Sequence, residues 1–245
     1  MDRLLEATAR AERDHFWFHG FRRFVTPLLR RAVAGRHDLL SLDCGCGTGH
    51  NLALLRRYGR AVGIDITLSG LLYAAARGDH AVALASAASL PFGSATFDLV
   101  TSFDVIYALP DDVERAAVAE MFRVLKPGGH LILNVAALEI LRGNHSVLSG
   151  EVRRYSRRTL RRGLERAGFI IERITYTNAT LLPLMAATRG LQRLTGHTAS
   201  DDEISVPPAP VNAALKGVLA LESAALRFID MPAGTSLLCV ATKTR

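Results

Sequence analysis

Two apolar patterns alternate along this chain. Apolar-rich segments at about 39–43, 61–65, 81–84, 97–102, 129–136 and 169–177 read as strands. Between them the apolar positions fall at helical intervals, as at Leu160, Leu164 and Ala167 in the segment Ser156 to Ala167. The alternation predicts an α/β fold: a mostly parallel, doubly wound sheet flanked by helices. Asn51 to Arg57 reads as the helix after the first strand. Gly128 and Gly129 are placed to stop the helix that ends near Lys126. A final apolar strand runs from Ser236 to Thr242.

The long stretch between the last two strands, about 179–235, is an insertion. Two helical candidates lie in it, Leu181 to Leu194 and Val211 to Ile229, joined by a polar, turn-rich linker with Asp201-Asp202-Glu203 and Pro207-Pro208-Ala209-Pro210. Lys216, Glu222 and Arg227 interrupt the second helix, which argues against a membrane span. Its alanines and leucines read first as packing surface. An apolar acceptor pocket, a dimer face and contact with a membrane surface are the alternatives. The whole chain, 1–245, reads as one domain: a helical cap over 1–36, a core over 37–178, the insertion over 179–235 and the last strand over 236–245.

Composition narrows the class. A hydrophobic fraction of 49% over 245 residues fills a large α/β core. The three cysteines form neither a metal spacing nor a disulfide framework, which fits a reducing cytoplasm. Met1 to Glu6 carries no charged-then-apolar leader. The net charge of +7 and the run Arg153, Arg154, Arg157, Arg158, Arg161, Arg162 and Arg166 raise nucleic acid as a partner. The helical spacing instead sets most of these arginines on the solvent side of an amphipathic helix, and no base-stacking aromatics are interleaved with them.

The chemistry concentrates in Asp43-Cys44-Gly45-Cys46-Gly47-Thr48-Gly49, at the end of the first predicted strand. Alternating glycines let a backbone turn sharply and approach a ligand closely. The spacing is not G-x-G-x-x-G, and the G-K-S/T of a phosphate loop is missing. An acid stands immediately before the loop, and a second, Asp65, ends the next strand in Val62-Gly63-Ile64-Asp65. Together these resemble the class I S-adenosylmethionine (SAM) dependent methyltransferases, over roughly 10–178 and the last strand.

The resemblance implies a Rossmann-like seven-stranded sheet whose last strand runs antiparallel between the fifth and sixth, and SAM as cofactor. It implies that Asp43 lies near the cofactor's amino-acid end and that Gly45, Cys46 and Gly47 approach it closely. Asp65 would accept hydrogen bonds from both ribose hydroxyls, a task suited to a carboxylate with two acceptor oxygens. Ile66 and Phe103 join the same wall. Ala85-Ser86-Ala87-Ala88-Ser89-Leu90-Pro91-Phe92 resembles the family's D-A-x-x-L-P-F, with Ser86 in place of the acid that takes the adenine amino group and Ala87 offering its N–H. Tyr107-Ala108 stands where many relatives have Glu-His. No metal is implied.

Asp14-His15-Phe16-Trp17-Phe18-His19-Gly20-Phe21-Arg22-Arg23 resembles a leading segment of a sub-group whose first helices fold over the cofactor. There Trp17 and Phe18 would exclude water, and Arg22 or Arg23 would pair with the cofactor carboxylate. His145 and Arg153-Arg154-Tyr155 resemble that sub-group's acceptor border, with Ser146 in place of its acid and Glu151 in place of its second histidine. This makes His145 the candidate base and Glu151 its orienting partner or substitute. The resulting reading is O-methylation of a small-molecule hydroxyl, a sugar or secondary metabolite, by a cytoplasmic monomer or homodimer. A methyltransferase for an amphiphilic quinone or lipid, in peripheral contact with a membrane, and a non-catalytic SAM-binding protein are the alternatives.

Overall fold

The computed structural model describes residues 8–78, 81–142, 150–195 and 206–244. In chain order the elements are helix α1 (Phe16–Val33), strand β1 (Leu39–Cys44), the short α2 (Leu52–Leu55), β2 (Gly59–Asp65), α3 (Leu68–Ala76), β3 (Val82–Leu84) and β4 (Phe97–Phe103). There follow α4 (Asp111–Val124), β5 (Leu125–Ala136), α5 (Arg157–Arg166), β6 (Phe169–Thr177), α6 (Leu182–Thr195), α7 (Ala209–Ala225) and β7 (Ser236–Lys243). The sheet order is β3-β2-β1-β4-β5-β7-β6. β1 to β5 pair in parallel, and β7 is antiparallel to both β5 and β6. This is the Rossmann-like seven-stranded sheet with its antiparallel last strand between the fifth and sixth.

Successive strand residues point to opposite faces and so seed two cores. Val100 and Leu131 face the side covered by α4 and α5, while their neighbours Leu99 and Ile132 face the side covered by α1, α2 and α7. Both members of each pair are almost completely buried, which explains the apolar-rich segments. α5 begins as its sequence dictates: the Ser156 hydroxyl accepts from Thr159 N while Thr159 Oγ1 accepts from Ser156 N, a reciprocal cap.

Two boundaries depart from the periodicity. The helix before β5 stops at Val124, not at the glycines, and Leu125 is already extended and paired with Phe97. Pro127 disfavours the helical conformation for Lys126, so the chain opens early. Residues 126–129 then bulge before regular pairing resumes with Leu99 against His130. The helix after β1 is also shorter than Asn51 to Arg57, one α-turn followed by a 3₁₀ turn at Arg56–Tyr58.

The insertion packs on the N-terminal arm. Asn212 of α7 accepts Phe16 N at 2.8 Å and donates to Asp14 O at 2.8 Å, clamping the start of α1. The Ser223 hydroxyl donates to Arg23 O at 2.9 Å. The buried Glu222 carboxylate accepts Ala179 N, Thr180 N and Thr180 Oγ1 at 3.0, 2.9 and 2.6 Å, tying α7 to the end of β6. α1 and α7 approach closely at Gly20, where a Cβ would stand 2.3 Å from Leu219 Cδ1.

Candidate functional site

β1 and β4 are neighbours in the sheet although two strands separate them in sequence, so the order reverses at their carboxyl ends and opens a crevice there. The glycine loop turns across this crevice. Gly45 N and Cys46 N both donate to Ile64 O at 2.8 Å, folding the loop back onto β2. Gly45 has φ of +79°, and a Cβ there would lie 2.2 Å from Val105 Cγ2, so the position admits only glycine.

Asp65 is locked by its neighbours. Its Oδ2 accepts Gly47 N and its Oδ1 accepts Thr67 N, each at 2.8 Å. A carboxylate has about four lone-pair sites. The two bonds fix its plane and leave acceptor capacity directed at the crevice, which suits a vicinal diol.

Asp43 lies beneath the loop, 1% exposed. Its Oδ1 accepts the Thr101 hydroxyl at 2.7 Å, while Oδ2 is buried with no hydrogen-bond partner. Burial pushes its carboxyl up to about 7, against the opposing Thr101 hydrogen bond. Buried acceptors are costly to leave unmatched. An orphaned carboxylate oxygen beneath a glycine cradle fits the ammonium end of an amino-acid-bearing cofactor.

The crevice is a cavity of about 480 Å³. Its lining includes the predicted Trp17, Arg22, Gly45, Cys46, Gly47, Asp65, Ile66, Ser86, Ala87 and Phe103. The Ser86 hydroxyl accepts Ala88 N at 3.2 Å, so it also shapes its own turn. Trp17 stacks on Phe21 at 5.7 Å between ring centres, and Phe21 meets Phe103 edge-on at 5.0 Å. This aromatic ladder carries the arm onto the end of β4. Arg22 lines this cavity and a neighbouring cleft, whereas Arg23 lines only the latter.

Asp104, Tyr107, Leu109, Val113 and Gly150 line the same cavity. Asp104 has φ of +61°, and its Oδ1 accepts Asn134 Nδ2 at 2.9 Å. Burial raises its carboxyl to about 7; the Asn134 bond opposes this and the nearby Glu151 adds to it. Glu151 is buried in a two-pronged pair with Arg154, at 2.8 and 3.1 Å. Gly150 lines the cavity, but Glu151 is turned into that pair rather than onto the wall. His145 and the acidic turn Asp201-Asp202-Glu203 lie outside the described residues.

Glu12 is the site residue that the sequence patterns pass over. Thr48 Oγ1 lies 2.7 Å from both of its carboxylate oxygens, Arg77 approaches at 3.3 Å and His50 at 3.7 Å. Burial raises its pKa, while Thr48 and Arg77 oppose the rise. Arg22 Nη2 donates to Glu12 O at 3.2 Å. This one acid joins the arm, the glycine loop and α3. Ala11-Glu12-Arg13 has neither periodicity nor motif to single it out.

The sheet order and the two acids around a glycine turn make a crevice on a Rossmann-like fold that could hold a nucleoside cofactor. Residues 42–133 match the family model described as a methyltransferase domain. A malonyl-[acyl-carrier protein] O-methyltransferase of Enterobacter lignolyticus is 36% identical over 127 residues, 49% of this chain and 47% of that protein. A demethylmenaquinone methyltransferase of Corynebacterium urealyticum is 36% identical over 122 residues, 47% of this chain and 51% of that one. The solved structure of a SAM-dependent methyltransferase from Mesorhizobium loti superposes with a TM-score of 0.57 at 19% identity, covering 89% of this chain and 96% of the other.

Residues 42–133 are thus a methyltransferase domain, of a family whose methyl donor is SAM. The chain spans 45 to 66% of the length of curated relatives that it matches. No helix among the described residues is long and apolar enough to cross a membrane. Nor do the described residues contain a group of three or more His, Cys, Asp or Glu able to hold a metal.

Proposed function

We propose that this protein transfers the methyl group of SAM to a hydroxyl of a small molecule, a sugar or secondary metabolite, held beside Tyr107 in the crevice. The orphaned Asp43 Oδ2 beneath the glycine loop, with Asp65 held beside it, carries the cofactor assignment. Asp65 would hold the ribose, Asp43 the ammonium, Arg22 the carboxylate, and Ser86 with Ala87 the adenine edge. When bound, SAM supplies an electrophilic methyl group on a positively charged sulfur.

The remaining tasks fall to the protein: aligning the acceptor oxygen, excluding water and taking one proton. Trp17, Phe18 and Phe21 furnish the apolar cover. The proton has two candidate acceptors, His145 from the sequence pattern and Asp104 from the cavity lining, whose carboxyl titrates near neutrality. Glu151 would then act by keeping Arg154 in place. A second acceptor class, an amphiphilic quinone or acyl carrier, is favoured by the apolar Leu109, Val113 and aromatic lining and by the names of the two relatives above.

The test is transfer of labelled methyl from SAM to metabolite extracts split into polar glycans, small aromatics and lipids, with Asp65→Ala as the blank. Label among glycans or small aromatics supports the first acceptor class, and label among lipids supports the second. SAM bound without label in any pool overturns turnover in favour of a binding protein. Asp104→Asn and His145→Ala, each retaining SAM affinity, identify the proton acceptor by which one loses turnover.

A further inference from the structure

Behind the cofactor crevice lies a second cleft, of about 750 Å³, into which three parts of the chain send arginines. Arg23 and Arg30 come from α1, Arg57 from the turn after α2, and Arg227 from just past α7. Seven arginines line the cleft in all, with no aspartate or glutamate among its described lining residues. Arg77 is matched by Glu12, but no described carboxylate pairs with Arg23, Arg30, Arg57 or Arg227. The concentration of positive charge is felt locally: burial first, then Arg22 and Arg77, hold His50 down at about 4.

An ordinary solvated basic face looks different, and the same chain supplies one. The arginines of α5 stand along one convex helix, where Arg161 pairs with Glu165 at 3.4 Å. In the cleft, unpaired guanidinium groups from separate segments converge on one concavity, where low-dielectric walls focus the field on whatever enters. Guanidinium forks match phosphate oxygens two at a time. The volume exceeds what a single phosphate would fill.

We propose that this cleft is a binding site for a phosphate-bearing anion. It shares Arg22 and His50 with the cofactor crevice, so the anion would be held against the wall of the methyl-transfer site. The phosphoryl chemistry has two sources, a soluble polyphosphate and a lipid headgroup. The second is suggested by Phe228, which follows Arg227 and is 87% exposed.

The full chain should be titrated calorimetrically with inorganic pyrophosphate, and separately with phosphatidylcholine vesicles with and without phosphatidic acid. The decisive variant is Arg30→Gln/Arg227→Gln. Its charge-matched control is Arg158→Gln/Arg162→Gln on α5, and thermal unfolding establishes that both pairs fold. Saturable binding of either probe, weakened roughly tenfold or more by the cleft pair and unchanged in the control, upholds the site. Pyrophosphate binding then identifies the soluble source, and binding only to acidic vesicles identifies the lipid one. Absence of saturable binding to both probes, or equal weakening by the two variant pairs, overturns the proposal. Both outcomes are independent of methyl transfer, so they stand apart from the fate of the acceptor assignment.

Discussion

Asp65 Oδ2 accepts the backbone N–H of Gly47 at 2.8 Å, so the acid that ends β2 is built into the turn that follows β1. The bond makes one unit of two motifs eighteen residues apart in the chain. Asp65→Ala removes both the proposed diol acceptor and the anchor of Gly47 and Thr67. SAM affinity should fall roughly a hundredfold or more, the scale of two charge-assisted hydrogen bonds. Asp65→Asn can retain one acceptor oxygen and should lie between the two. Calorimetric titration with SAM measures both, and wild-type affinity in the alanine variant would refute the ribose assignment.

The raised carboxyls of Asp43 and Asp104 make stability depend on pH in an unusual direction. Their folded-state values of about 7 lie above the ordinary 3.8, so between these limits the folded protein holds protons that the unfolded chain has released. Their contribution is therefore fully present near pH 4 and is lost as pH rises through about 7. A cofactor ammonium at Asp43 favours the ionised carboxylate, so SAM affinity should increase over the same interval, with proton release on binding. Chemical denaturation and calorimetry in buffers of different ionisation enthalpy read the two effects. In Asp43→Asn the rise in affinity should flatten.

What the sequence disclosed and what it concealed differ in physical kind. β1, β4 and β7 were legible because strands buried on both faces need nearly unbroken apolar runs. The glycines of the loop after β1 were legible because a tight turn restricts which residues fit. The early end of α4 follows from one proline overriding two glycines. Glu12 was illegible because its partners Thr48 and Arg77 lie 36 and 65 residues away. The basic cleft was hidden for the same reason. Arg30, Arg57 and Arg227 converge only in three dimensions, while the conspicuous arginine run of α5 is spread over a helix surface.

Glu12 links the arm to the glycine loop, and its removal should loosen the cover of the crevice. Glu12→Ala leaves the Thr48 hydroxyl without its acceptor and Arg77 without its carboxylate partner, at a cost of about 1 to 3 kcal/mol; partial exposure of Arg77 keeps the charge contribution toward the lower end. SAM should dissociate faster and the segment before α1 should become easier to cleave by protease. Glu12→Gln retains an acceptor for Thr48 and should recover much of the loss. Stopped-flow SAM dissociation together with limited proteolysis tests this, and an unchanged cleavage rate in Glu12→Ala would show that the arm is held by other contacts.

The contact between Gly20 and Leu219 ties the insertion to the site. α1 carries Trp17, Phe21 and Arg22 into the crevice, and its approach to α7 leaves no space for a side chain at Gly20, where a Cβ would fall 2.3 Å from Leu219 Cδ1. Gly20→Val must therefore push α1 away from α7 or drive Leu219 off its rotamer, an overpacking cost of about 1 to 3 kcal/mol. Valine's lower helix propensity than alanine's is too small to produce this, since glycine itself is the poorer helix former. Leu219→Ala vacates the contested volume and, taken alone, opens a cavity in a fully buried position at about 2 to 5 kcal/mol. If the two residues compete for one space, the double variant should be more stable than the sum of the single losses predicts, by a coupling of about 1 kcal/mol or more. Urea denaturation of the four proteins closes this cycle. SAM titration of the same set then shows whether the spacing of α1 and α7 reaches the crevice: Gly20→Val should weaken SAM binding and the added Leu219→Ala should restore it. Additive stabilities would mean that the helices separate without strain and that the insertion does not set the position of the arm.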